Sequence, residues 1–71
     1  MKNTQAERIL TYIDERGSIT TLDAFRDLGI TRLAARIHDL RREGIDIDGE
    51  MIEEENRFGE KVRFMCYRRA V

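Results

Sequence analysis

With 71 residues, 41% hydrophobic and 38% charged, the chain has room for one domain with a compact core and little room for a deep substrate pocket. Its single cysteine, Cys66, excludes an internal disulfide, and no apolar run approaches the roughly 18 residues of a membrane span. Met1-Lys2-Asn3-Thr4-Gln5 leads into a helical pattern without a signal-peptide core, so a cytoplasmic protein is expected.

Thr4-Gln5-Ala6-Glu7 has the capping-box pattern, and Ala6, Ile9, Leu10 and Ile13 follow on one helical face. These predict a first helix over about 5–16, stopped at Gly17. Ser18-Ile19-Thr20 reads as a very short strand. Thr20 or Thr21 then caps a second helix over about 21–28, with Asp23 in its first turn and Leu22, Phe25 and Leu28 on one face. After Gly29-Ile30, Thr31 is the expected N-cap of a third helix over about 31–43, with Leu33, Ile37 and Leu40 as its core stripe.

Beyond Gly44 the period changes. Ile45-Asp46-Ile47-Asp48 alternates like a half-buried strand, and the break near Gly49 suggests a bulge or turn. Asn56-Arg57-Phe58-Gly59-Glu60 reads as a turn, with Phe58 expected to fold back onto the hairpin. Lys61 to Arg68 alternates again, with Val62, Phe64 and Cys66 on one side and Cys66 expected to fill the core. Three helices followed by a hairpin over about 45–68 make an α+β chain that is mainly α. The tight link between the second and third helices fits a helix-turn-helix, and the hairpin takes the place of a wing.

Leu28-Gly29-Ile30-Thr31 resembles the turn of the winged helix-turn-helix motif, and Arg36-Ile37-His38-Asp39-Leu40-Arg41-Arg42-Glu43-Gly44 resembles the end of its recognition helix. Through Gly17-Ser18-Ile19-Thr20, Ala34-Ala35-Arg36-Ile37-His38-Asp39-Leu40-Arg41 and Asn56-Arg57-Phe58-Gly59, the chain is similar to small helix-turn-helix proteins of bacteriophages and prophages. The similarity covers roughly residues 6–68. It implies DNA binding in a phage context, as a transcriptional regulator or a recombination accessory factor. In the wider motif a small residue stands four places before the turn glycine. Here Phe25 takes that place and Ala24 precedes it, which implies an adjusted helix crossing.

The net charge of −1 is unfavourable for a phosphate ligand, so the distribution of charge matters. Residues 31–43 carry +2 and residues 56–71 carry +4, separated by −6 over residues 44–55. Opposite the core stripe of the third helix lie Thr31, Ala35, His38, Asp39 and Arg42, with Arg32 and Arg36 at the flanks. Thr31, Arg32, Ala35 and Arg36 are the expected base readers: Arg pairs with guanine, and Ala or the Thr methyl meets a thymine methyl. Asp39 and Arg42 complete that surface. Arg57, Lys61 and Arg63, at or beside the hairpin tip, either contact DNA or protect an edge strand from aggregation.

The acidic 46–55 segment is a solvated strand, a face turned from DNA, or a docking surface for a basic protein partner. A homodimer is a further expectation, because one small module covers limited DNA surface. His38 stands alone, and no nucleophile–base pair, metal-ligand cluster or phosphate-cradling loop is present, so neither catalysis nor a cofactor or metal is expected. The alternative to DNA binding is a winged helix that modulates a host or phage complex through protein contacts.

Overall fold

A computed structural model describes residues 4–70; the expectation for the first three residues lies outside them. The order is α1 (Gln5–Arg16), β1 (Ile19–Thr20), α2 (Thr21–Leu28), α3 (Leu33–Arg42), β2 (Ile47–Glu55) and β3 (Lys61–Arg69). The strands form one antiparallel sheet in the order β1-β3-β2, with β3 central.

Local sequence sets the starts of α1 and α2. Thr4 Oγ1 accepts from the Glu7 amide at 3.1 Å, and Glu7 Oε1 accepts from the Thr4 amide at 3.0 Å. Thr20, rather than Thr21, caps α2 in the same reciprocal way with Asp23, at 3.0 and 3.1 Å. Each such cap is worth about 1 kcal/mol.

The start of α3 differs from expectation. Its N-cap is Arg32, without a side-chain cap, and Thr31 lies outside the helix. Gly29 turns the chain at φ +67°, and the Ile30 amide donates to the Ala24 carbonyl at 2.9 Å. This drives Ile30 into the core, where it is 1% exposed, and the chain uses Thr31 and Arg32 to climb back before helical geometry begins.

The core joins Ile9, Tyr12 and Ile13 of α1, Ile19 of β1, Ala24 of α2, Ile30, the α3 stripe Leu33, Ile37 and Leu40, Ile47 of β2 and Tyr67 of β3. Two expected faces are corrected. On α2, Leu22 and Phe25 point outward, 55% and 63% exposed, and Ala24 makes the buried contact. Its single methyl lets the short helix approach its neighbours closely, so Ala24 supplies the small residue that the motif places one position later. On the hairpin, Met65 and Tyr67 face the helices, while Val62 and Phe64 lie on the other side. Cys66 is buried but sits outside the main core, on the sheet face of Thr20 and Glu50. The short β1 decides this: Ile19, fully buried, registers with Tyr67, and side-chain alternation then assigns the rest.

Gly49 causes neither bulge nor turn. β2 and β3 pair without a break from Ile47↔Arg69 to Glu55↔Lys61, and Gly49 faces Tyr67. The hairpin loop is closed by Asn56, whose side-chain oxygen accepts from the Phe58 amide at 2.9 Å and the Glu60 amide at 3.0 Å. Phe58 does not fold back; it is 78% exposed at the tip.

α1 and α2 are tied by Tyr12, whose hydroxyl donates to Asp27 Oδ2 at 2.6 Å. The Arg26 guanidinium, with help from Tyr12, holds the Asp27 carboxyl down at about 2. The same hydrogen bond to Asp27, reinforced by burial, raises the Tyr12 phenol above its ordinary value.

Candidate nucleic-acid interface

α3 is fixed on its core side and its sheet side, and it borders α1 across an open cleft. Its stripe of Leu33, Ile37 and Leu40 is at most 2% exposed. Toward the sheet, Arg41 donates to the Ile47 carbonyl from Nε at 3.0 Å and from Nη2 at 2.7 Å, and its guanidinium lies 5.9 Å from the Tyr67 ring centroid. Toward α1, Arg36, Asp39 and Arg42 share a shallow cleft of about 590 Å3 with Thr4, Gln5 and Ala6.

What remains free is one helical face. Ala35 and Arg42 lie opposite the core stripe, with His38 and Asp39 on either side of them. Arg32 stands exposed at the helix start, beside exposed Thr31. His38, which the wheel sets on this face, is exposed there, although it was not among the expected base readers.

Arg36 is set apart from the base-reading group. It leans toward α1 with Nε buried and 3.2 Å from Asp39 Oδ2, in a geometry that makes an ion pair but no hydrogen bond. Asp39 also holds Arg42, whose Nη2 is 3.7 Å from Oδ1.

The wing repeats this arrangement. Arg63 Nε donates to Glu53 Oε2 at 3.0 Å, and Lys61 Nζ lies 3.9 Å from Glu53 Oε1. Arg57 projects at the tip beside Phe58 and has no ion-pair partner among the described residues, as is true of Arg32. The acidic strand β2 and the basic strand β3 are therefore paired partners, not separate blocks: Glu50 holds Arg68 at 3.4 Å as Glu53 holds Arg63. Arg69 is structural, donating to Asp14 of α1 at 2.9 and 3.0 Å.

Chemically, the surface offers guanidinium forks, a small apolar patch at Ala35 and one imidazole. Among the described residues no group of three or more His, Cys, Asp or Glu side chains is placed to hold a metal ion, and no helix is long and apolar enough to cross a membrane. A family model described as a winged helix-turn-helix domain matches residues 4–65. Comparison with curated proteins and with solved structures returns no significant match.

Proposed function

We propose, from the premise that this chain belongs to the winged helix-turn-helix family, that it binds double-stranded DNA with the outward face of α3 in the major groove and the wing tip on the backbone. The observation that carries this reading is the free face of α3, rigidly backed by a buried stripe within the span of the family match. Arg32 and Thr31 enter first, Ala35 and His38 lie along the groove floor, and Arg42 reaches a phosphate. Asp39 accepts from a cytosine amine or orients Arg42, and Arg36 serves the rim. Arg57, Lys61 and Arg63 contact phosphates or a narrow minor groove. In this reading the chain is a binding module without catalytic activity, acting in the cytoplasm where its DNA is. The resemblance of its motifs to phage and prophage proteins supports a role as a regulator or recombination accessory factor, with two copies on one site.

The test is binding to random and source-genome duplexes at two salt concentrations. Affinity should fall steeply with salt and differ between sequences; no binding at low salt overturns the reading. Arg32→Ala should cost about 1–3 kcal/mol at one base position, whereas Arg57→Ala should weaken all sequences alike and lower the salt slope by about 1.

A second reading, a protein-interaction module, is favoured by the outward Leu22 and Phe25 on α2. It expects no DNA binding, and a complex that Phe25→Ser disrupts.

A further inference from the structure

Six cations stand on the surface assigned to DNA: Arg32, Arg36, Arg42, Arg57, Lys61 and Arg63. Four of them are held by two carboxylates. Asp39 sits between Arg36 and Arg42 at 3.2 and 3.7 Å, and Glu53 sits between Arg63 and Lys61 at 3.0 and 3.9 Å. One pair of cations is on the helix and the other on the wing, and each has its own acid.

We propose, resting on the DNA-binding reading, that Asp39 and Glu53 are specificity-determining residues that keep these four cations from random phosphates and release them on a fitted site. Exposed ion pairs are individually weak, worth about 0–1 kcal/mol, so exchanging a carboxylate for a phosphate costs little when the phosphate is well placed. When it is badly placed, the carboxylate retains the cation and repels the backbone. A cation so retained adds nothing to the counterion release that drives binding without sequence preference. Discrimination thus comes from lowering the affinity for wrong sites, as well as from raising it for the right one.

The register separates this from a plain effect of net charge. Glu54 follows Glu53 in β2 but faces Val62 on the other side of the sheet, and it holds no cation among the described residues. Glu54→Gln therefore changes the charge by the same amount without releasing anything.

The experiment compares Asp39→Asn, Glu53→Gln and Glu54→Gln with the parent. The probes are a random-sequence duplex and a duplex selected by the parent from a random pool, each at two or more salt concentrations. Asp39→Asn and Glu53→Gln should each tighten random-sequence binding about 3- to 10-fold at low salt. Each should also steepen the salt slope by about 1 to 2, the contribution of one or two more phosphates, and narrow the ratio of selected to random affinity. Glu54→Gln should leave the slope unchanged. Slopes for Asp39→Asn and Glu53→Gln equal to the parent's overturn the inference, as does a Glu54→Gln slope equal to theirs. If the parent and all variants bind no DNA, the DNA-binding reading falls and takes the inference with it. If the parent binds no DNA and only Asp39→Asn or Glu53→Gln does, the carboxylates block binding instead of sorting sites, and the inference is overturned.

Discussion

Gly49 is a position in β2 where a side chain has no room. A Cβ there would lie 2.9 Å from Met65 Cε and 3.1–3.2 Å from the Tyr67 ring. Met65 can swing away, but Tyr67 is buried under Arg41 and must shift as a plate. Gly49→Ala should cost about 1–2 kcal/mol in urea unfolding, a small overpacking effect; an unchanged midpoint would show that the ring yields freely. Asp27 gives a prediction in pH. Its carboxyl is held at about 2 in the fold. A depressed pKa stabilises the fold above the unfolded value, about 3.9, and that stability is lost as the pH falls toward 2. Asp27→Asn should therefore flatten the melting temperature between about pH 4 and pH 2. A variant whose acid limb matches the parent's would show that other carboxyls set it. The caps at Thr4 and Thr20 were legible in the sequence because their hydrogen bonds close within three residues. The crowding at Gly49 was not, because Tyr67, its partner, is eighteen residues away.

Among the elements, α3 and the wing share the core through Leu40, Ile47 and Tyr67, and one polar side chain clamps them at its edge. Arg41 reaches six residues along the chain to cap the Ile47 carbonyl with two donors while lying over Tyr67. Arg41→Ala should lose about 1.5–3 kcal/mol, the range for hydrogen bonds to a charged group. Arg41→Lys should recover less than half of it, since an ammonium lacks the fork. Equal stability of the Lys and Arg chains in a urea titration would deny the clamp. Helix periodicity identified the α3 stripe correctly because Leu33, Ile37 and Leu40 meet the core through a regular wheel. The same logic placed Leu28 of α2 against the core but misplaced Leu22 and Phe25: eight residues offer too short a wheel, and Ala24, the least conspicuous apolar side chain, makes the buried contact. The hairpin face was misjudged because alternation fixes only which residues go together. The choice between the two sides comes from β1, a strand of two residues.

At the scale of the whole molecule, the wing draws the chain out. The extents are 44 × 24 × 21 Å and the radius of gyration is 12.7 Å, against about 11 Å for a compact chain of this length. On DNA rising 3.4 Å per base pair, the long axis covers at most about 13 base pairs. A footprint within that length indicates one copy, and a longer one indicates two; under the present reading a nuclease footprint should show the longer. Charge was legible only in blocks. Counting back from the Asn56–Glu60 loop would have set Arg63 opposite Glu53, and the strand that looked repellent to DNA would then have read as the neutralising partner of its neighbour.

The pairing of β1 with Cys66 and Tyr67 has a consequence in time. Strand β1 lies between α1 and α2, so the contact that completes the sheet closes a loop of more than forty residues, and such closures come late in folding. On the ribosome the helices can form as they emerge, but Ile19 stays without its partner for several seconds at ordinary elongation rates, until residue 67 is free. A chain ending at Met65 lacks both partners of β1, and with them the core ring of Tyr67. Its β1 amides should exchange with solvent freely, while those of the longer chain are protected.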